Sequence, residues 1–153
     1  MKIELTPIGH VRTTRADPID DNWDAETTTI ELDPKQFTPD ALLSLDHFSH
    51  IEVIYWFHHE EAATPNLGAR RPRGREDWPL VGIFAQRAKN RPNRLGLTVC
   101  KILEVKGLTV CVEGLDAIDG TPVLDLKPWM EGFAPRGEVR QPQWAKELMA
   151  GYW

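Results

Sequence analysis

A basic, turn-forming stretch at residues 82–96 is the first candidate for chemistry. Arg87 and Arg91 each offer a planar group with several N–H donors, which suits a carboxylate or a phosphate. Asn93 adds an amide that can contact a nucleotide base or a backbone group. The stretch therefore predicts a site for an anion or a nucleotide. The alternative is a long hairpin with ordinary surface arginines.

A second stretch, residues 114–128, places carboxylates around a tight turn. Asp116 and Asp119 flank a turn that Gly120 closes, where their side chains could accept from backbone N–H groups and stabilise the turn. The same carboxylates could instead bind a ribose hydroxyl or an ammonium group. No carboxylate spacing in this stretch matches a known calcium site, so we predict no metal.

Three histidines stand at the ends of a strongly apolar run. Because side chains alternate along a strand, His50 and His58 share one face and His59 takes the other. Two histidines at one strand end could bind zinc, but no third ligand is near them in the sequence. Ser49 lacks the strained turn that a Ser/His hydrolase requires. A structural histidine held by hydrogen bonds is the ordinary outcome for each.

The charge of the chain is unevenly distributed. The whole sequence has a net charge of −5, but residues 70–94 hold eight basic and two acidic residues, which leaves −11 for the remainder. This asymmetry predicts a local anion-binding surface on an acidic body. The alternative is that these arginines, and Arg12 ahead of the acidic loop, pair with carboxylates of the N-terminal third.

Most of the elements that must position these groups are predicted to be strands. Apolar and β-branched runs indicate strands at residues 3–13, 27–32, 51–57, 81–85, 95–105, 108–113 and 121–126. A four-residue recurrence of apolar side chains after Pro142 indicates one helix at residues 143–152. Strands and helices do not alternate, which argues against a doubly wound fold. We predict a mainly β fold, a small antiparallel β-barrel-like domain with a C-terminal helix.

Length and composition indicate one domain spanning residues 1–153. No apolar run approaches the roughly 20 residues that a membrane-spanning helix needs, and the N-terminus does not resemble a signal peptide. The two cysteines form neither a metal motif nor a disulfide framework. No G-x-G-x-x-G turn is present, so a nucleotide cofactor would need another architecture. We expect a cytoplasmic protein with no membrane partner.

Six sequence blocks, taken in order, carry a resemblance to a known family. They are Ile8-Gly9-x-Val11-Arg12, Leu45-Asp46-x-Phe48-Ser49-His50-Ile51, Phe57-His58, Gly82-x-Phe84-Ala85-x-Arg87, Arg91-Pro92-Asn93-x-x-Gly96 and Leu115-Asp116-x-x-Asp119-Gly120-Thr121-Pro122-Val123-Leu124-Asp125-x-Lys127-Pro128. In content and order they resemble the TrmO/YaeB family of S-adenosylmethionine-dependent tRNA methyltransferases. The resemblance covers residues 8–128.

The resemblance implies a small β-barrel-like fold and a homodimer whose site lies near the subunit interface. It implies S-adenosylmethionine as the methyl donor, and N6 of threonylcarbamoyladenosine beside the tRNA anticodon as the acceptor. The residues that resemble cofactor-binding positions are His58, His59, Arg87, Leu97, Asp116, Ala117, Ile118, Asp119, Gly120 and Thr121. The residues assigned to tRNA are Arg12, Arg70, Arg71, Arg73, Arg91, Asn93 and Arg94.

The implied acceptor nitrogen is conjugated and weakly nucleophilic, so a base that removes its proton would help. Asp116, Asp119 and His58 are the candidates, and the sequence does not choose among them. The loop differs from the family pattern at residues 88–90 and at Arg94, and residues 20–23 stand where many members have a Pro-Arg-Gln segment. Two alternatives therefore stay open. One is a methyltransferase acting on a small molecule, and the other is a non-catalytic S-adenosylmethionine-binding module.

Overall fold

Six strands close into an antiparallel barrel, because their apolar residues alternate and fill a common interior. The computed structural model describes residues 1–153. Its strands are β1 (Gly9–Arg12), β2 (Thr27–Leu32), β3 (His50–Trp56), β4 (Ala69–Arg70), β5 (Val81–Gly82), β6 (Leu95–Lys106), β7 (Thr109–Glu113) and β8 (Pro122–Pro128). Around the barrel the order is β1, β2, β7, β6, β3 and β8, and the pairing of β8 with β1 closes it. The predicted fold class is confirmed.

The barrel interior is filled by inward-facing side chains. In β3, Ile51, Val53 and Tyr55 are buried, whereas the residues between them are partly exposed. Burying each such side chain contributes about 1.5–3 kcal/mol. The core cluster consists of Val11, Ile30, Leu32, Leu42, Ile51, Val53, Tyr55, Cys100, Val110, Val112, Leu115, Ala117 and Val123. The strands that carry the candidate site residues are therefore fixed by a common core.

The hairpin between β6 and β7 turns one residue later than the sequence indicates. The predicted strands at residues 95–105 and 108–113 leave Lys106-Gly107 as the turn between them, but Lys106 pairs with Thr109, so the turn residues are Gly107 and Leu108. Gly107 has a φ of +59°, which the first central position of a tight hairpin turn requires. The glycine sits at that position because a side chain would be strained there.

A second, two-stranded sheet pairs β4 with β5. The predicted strand at residues 81–85 keeps only β5, because the chain then enters a 3₁₀ turn, Ile83–Ala85. The side-chain amide of Gln86 donates to the backbone oxygens of Arg70 (3.1 Å) and Val81 (3.0 Å). These bonds hold the start of the basic stretch against the small sheet.

The acidic loop before β2 is organised by one arginine. The guanidinium of Arg15 donates to the backbone oxygens of Ile19 (2.5 Å), Asp21 (2.8 Å) and Asn22 (3.1 Å). It also lies over the ring of Trp23, with its central carbon 3.6 Å from the centroid. Trp23 is buried, so it anchors the loop in the interior of the protein.

The C-terminal residues 143–153, here called the strap, return across this loop. Helix α1 (Gln143–Met149) is shorter than the predicted span of 143–152. The indole N–H of Trp78 donates to Glu147 Oε2 at 2.8 Å, and the strap accepts backbone hydrogen bonds from the loop after the helix ends. None of the helices combines the length and hydropathy that a membrane crossing needs.

Candidate functional site

An open pocket of about 430 Å³ lies where β3 ends and β6 begins. It combines aromatic and aliphatic side chains with two guanidinium groups and one carboxylate. The lining residues are Tyr55, Phe57, Phe84, Arg87, Arg91, Pro92, Asn93, Leu95, Gly96, Leu97 and Asp116. Aromatic faces suit a planar base, arginines suit an anion, and a carboxylate suits a hydroxyl or an ammonium group. The pocket therefore has the chemistry to hold a zwitterionic nucleoside.

A glycine determines where Tyr55 lies in this pocket. Tyr55 and Gly96 are partners across the β3–β6 ladder, and the tyrosine ring packs directly over the glycine. A Cβ at Gly96 would lie 2.3 Å from Tyr55 Cε2, which no real contact allows. Phe57 packs edge-on against the same ring at a centroid distance of 5.3 Å. These two contacts fix the direction of the Tyr55 hydroxyl.

The Asp116 carboxylate accepts hydrogen bonds from three hydroxyl groups. Tyr55 donates to Oδ1 at 2.8 Å, and Thr98 donates to the same oxygen. Tyr152, from the strap, donates to Oδ2 at 2.5 Å. Burial first, and then the charge of Asp116, raises the pKa of both tyrosines. Both hydroxyls therefore keep their protons at neutral pH and remain donors.

The arginines of the basic stretch are held by backbone oxygens. Arg87 donates through one Nη to the oxygen of Leu97, and Arg91 donates to the oxygen of Gln86 at 3.0 Å. A guanidinium has five N–H donors, so each keeps donors for a ligand. The two residues before β6 have positive φ, +62° for Asn93 and +52° for its neighbour. Asn tolerates this left-handed region, whereas Arg94 is strained there, and strained residues of this kind cluster at functional sites.

The pocket brings together residues from both predicted stretches. Arg87, Leu97 and Asp116, expected to bind the cofactor, line it together with Arg91 and Asn93, expected to contact tRNA. The remaining predicted cofactor residues are not among its lining residues, namely His58, His59, Ala117, Ile118, Asp119, Gly120 and Thr121. Two separate segments of sequence therefore meet at one site, while the assignment of these roles stays a prediction.

The residues that follow Asp116 turn into the body of the protein. Ala117, Ile118 and Thr121 are buried. Asp119 is exposed, and its Oδ1 accepts from the backbone N–H of Thr13 at 3.2 Å. The Asp119 carboxylate therefore ties the end of β1 to the turn before β8, in the stabilising role that its turn context allows.

His58 and His59 lie together in a 3₁₀ turn, His58–Glu60, directly after β3. Their ring centroids are 4.3 Å apart. Partial burial, followed by the charges of His59 and His10, lowers the pKa of His58, so its ring is neutral at pH 7. No three or more His, Cys, Asp or Glu residues are grouped so as to hold a metal ion.

Several arginines assigned to tRNA make contacts within the protein. Arg73 forms an ion pair with Asp21 at 2.7 Å, and Arg12 forms one with Glu31 at 2.8 Å. These are pairings with the acidic N-terminal third that the charge distribution allows as an alternative. The other assigned arginines contact backbone oxygens or lie half-buried: Arg71 contacts Trp78, Arg94 contacts Glu61 and Ala63, and Arg70 is half-buried.

Sequence reasoning assigned no role at the site to four aromatic residues, although Phe57 and Phe84 belong to the blocks that carry the family resemblance. Tyr55, Phe57 and Phe84 line the pocket, and Tyr152 reaches its carboxylate. Strand alternation carries a signal for Tyr55, since it points inward like Ile51. No local pattern connects Tyr152 with Asp116, because 36 residues separate them in the chain.

The chain is similar to proteins named for methyl transfer or for binding S-adenosylmethionine. A family model described as the tRNA-methyltransferase O N-terminal domain matches residues 10–134. A Methanothermobacter thermautotrophicus protein named "Probable S-adenosyl-L-methionine-binding protein" is 40% identical over 141 residues, covering 90% of this chain and 97% of the relative. The tRNA (adenine(37)-N6)-methyltransferase of Mus musculus is 38% identical over 93 residues, covering 61% of this chain and 21% of the mouse protein.

A solved structure with the same fold is TrmO from Pseudomonas aeruginosa. It superposes with a TM-score of 0.73 and 28% sequence identity, covering 92% of this chain and 61% of that one. The chain thus spans nearly all of the archaeal relative but less than two thirds of the mouse and Pseudomonas proteins. The strap lies beyond the residues that the family model matches.

Proposed function

Because this chain belongs to the family of the tRNA-methyltransferase O N-terminal domain, we propose that it transfers a methyl group from S-adenosylmethionine to N6 of threonylcarbamoyladenosine in tRNA. The methyltransferase class and its methyl donor follow from family membership and from the names of the relatives. The identity of the acceptor, N6 of threonylcarbamoyladenosine in tRNA, is what we propose beyond family membership. The observation that carries the proposal is the family match over residues 10–134, which includes every residue that lines the pocket.

The pocket supports the methyl donor by its chemistry. S-adenosylmethionine carries a purine, a ribose, a carboxylate and an ammonium group. Phe57 and Phe84 offer aromatic faces to the purine, and Arg87 offers donors to the carboxylate. Asp116 has acceptor capacity for a ribose hydroxyl or the ammonium group beyond the three hydroxyls that it already binds.

The proposed chemistry depends mainly on positioning. The acceptor nitrogen must approach the sulfonium methyl in line, and a rigid pocket supplies much of the barrier reduction by holding both groups. Of the three candidate bases, Asp116 lines the pocket and Asp119 and His58 do not. Because Asp116 is held by three hydroxyl donors and keeps acceptor capacity for one more group, we assign it to holding the methyl donor rather than to removing a proton.

The same proposal includes a homodimer. The outward face of β6 carries four apolar residues that are each 40–44% exposed: Leu95, Leu97, Val99 and Leu103. Phe84, 78% exposed, lies at the same pocket. Leu95, Leu97 and Val99 occupy successive outward positions, and the exposed Lys101 separates them from Leu103. An exposed apolar patch of this kind is typical of an interface. Because Leu95, Leu97 and Phe84 also line the pocket, a second copy seated on this face would complete the site at the dimer interface.

A tRNA methylation assay tests the proposed function. Incubation of the purified protein and S-adenosylmethionine with tRNA from cells that lack the endogenous enzyme should yield N6-methylated threonylcarbamoyladenosine after digestion to nucleosides.

Arg87→Ala should abolish methyl-donor binding measured by calorimetry. The proposed site for the methyl donor is wrong if the affinity of Arg87→Ala equals that of the wild type.

A second candidate acceptor class has one observation in its favour. Several arginines assigned to tRNA are engaged in ion pairs or backbone contacts, including Arg12 and Arg73. Fewer cations are then free for phosphates, as a methyltransferase acting on a small molecule would allow. Methyl-donor binding without any product in the tRNA assay would favour that reading or the non-catalytic binding module. Transfer to tRNA would contradict both.

A further inference from the structure

The strap delivers one side chain to the pocket's carboxylate. Helix α1 is tethered by the Trp78 indole, which donates to Glu147 Oε2 at 2.8 Å and packs against Trp144 at a centroid distance of 6.4 Å. After the helix, Asn22 and Trp23 donate backbone hydrogen bonds to the oxygens of residues 151 and 152, at 3.1 and 3.0 Å. These contacts place the Tyr152 hydroxyl 2.5 Å from Asp116 Oδ2.

The two oxygens of Asp116 are held from different parts of the molecule. Oδ1 accepts from Tyr55 and Thr98, which are both buried and fixed by the barrel. Oδ2 accepts from Tyr152, which no barrel strand supports. A carboxylate with one oxygen fixed can still turn about its side-chain torsions. The orientation of the whole group toward the pocket therefore depends on the strap.

We propose that Tyr152 is a positioning residue of the methyl-donor site, and that it acts by holding Asp116 Oδ2 in the orientation that meets the ligand. This inference rests on the proposed function of the pocket. The strap lies outside the family match over residues 10–134, so the match assigns no role to this contact.

The acidic loop holds the strap in place. Arg15 fixes the loop from below, and the loop then presents two backbone donors, from Asn22 and Trp23, to the strap. Residues 20–23 thereby fix the position from which the Tyr152 hydroxyl reaches Asp116 Oδ2. The strap, the loop and the pocket form one connected path of hydrogen bonds.

Binding of S-adenosylhomocysteine, the product of methyl transfer, tests the inference without requiring turnover. Tyr152→Phe removes only the hydroxyl and should weaken affinity, measured by calorimetry, by about five- to twentyfold. Val110→Ala is the matched control, because it removes methyl groups from the barrel core at a residue that neither lines the pocket nor belongs to the strap. It should lower the Tm at least as much as Tyr152→Phe, and leave the affinity within about twofold of the wild type.

A double-mutant cycle tests whether Tyr152 acts through Asp116. In the background of Asp116→Asn, adding Tyr152→Phe should cause no further loss of affinity. Wild-type affinity in Tyr152→Phe overturns the inference, and so does tighter binding, which would mean that the hydroxyl competes with the ligand. Equal losses of affinity in Tyr152→Phe and Val110→Ala at equal Tm would assign Tyr152 a role in stability alone. If the wild type does not bind S-adenosylhomocysteine, the proposed function itself fails, and the inference fails with it.

Discussion

Gly96 shows how the absence of a side chain shapes the pocket. Its Cα lies under the ring of Tyr55, and a Cβ there would be 2.3 Å from the ring. Gly96→Ala must therefore displace Tyr55, whose hydroxyl bonds Asp116. We expect a loss of about 1–3 kcal/mol in the free energy of unfolding, together with weaker binding of S-adenosylhomocysteine.

Gly82 provides the control for this substitution. Nothing lies within 4 Å of a Cβ at Gly82, and its φ of −62° suits any residue. Gly82→Ala should change the free energy of unfolding by less than about 0.5 kcal/mol. Urea unfolding of both variants, with ligand binding measured alongside, distinguishes them. Equal stabilities would show that the tyrosine ring shifts without cost, contrary to the packing argument.

At the residue scale the sequence identifies groups by type more readily than by partner. Arg87 and Asp116 stand out because their stretches combine charge with turn residues, and the structure brings both to one pocket. The hydrogen bond from Tyr55 to Asp116 spans 61 residues. It depends on the register of the β3–β6 ladder, which periodicity does not reveal. Side-chain partners across a barrel can therefore be predicted only once the register of the strands is known.

At the element scale the acidic loop is an independent unit held by Arg15. A lysine carries one compact ammonium group and cannot match the fork of donors that contacts three carbonyls and stacks on Trp23. Arg15→Lys should lower the free energy of unfolding by about 1–2 kcal/mol. It should also speed amide hydrogen exchange at Asn22 and Trp23, whose N–H groups bond the strap.

Arg12→Lys is the matched control for the loop. The Arg12–Glu31 pair is exposed on both sides, so its loss should cost less than about 0.5 kcal/mol. Exchange at Asn22 and Trp23 should stay as in the wild type. If Arg15→Lys and Arg12→Lys behave alike, Arg15 does not organise the loop, and the strap must be held by the Trp78 contact instead.

Elements with strong alternation are predictable, whereas those built by local hydrogen bonds are not. β2 matches its predicted span of 27–32 because its buried and exposed residues alternate throughout. The expected strand at 81–85 shortens to β5, since a 3₁₀ turn and the Gln86 side chain take over the backbone. The strap also follows no periodic pattern after α1 ends. Its position depends on tertiary contacts with the loop and Trp78.

At the scale of the whole molecule, the sequence shows that charge is unevenly distributed. It does not show which arginines pair within the protein and which line a pocket. Residues 70–94 carry a net charge of +6, yet Arg73 pairs with Asp21 of the acidic loop, and Arg75 bonds Asp77 at 2.9 Å and lies over Trp78. Part of the basic surface therefore stabilises the contact between segments. The arginines with donors facing the pocket, Arg87 and Arg91, are the ones left for a ligand.

The outward face of β6 is the surface on which we expect a second copy of the chain to sit. If a second copy covers this face, the wild type should have twice the 17.4 kDa mass of one chain when measured by light scattering after size exclusion. Val99 is 44% exposed in the middle of the face and does not line the pocket. Val99→Lys places a charge where the dimer would bury it, and so should yield a monomer. Binding of S-adenosylhomocysteine should weaken in parallel, because the pocket loses its cover.

Val139→Lys makes the same chemical change at a residue that is 69% exposed outside the barrel strands, and it should leave mass and affinity unchanged. A wild type that stays monomeric at high concentration would refute the dimer. A monomeric Val99→Lys with full affinity would instead mean that each pocket is complete within one chain.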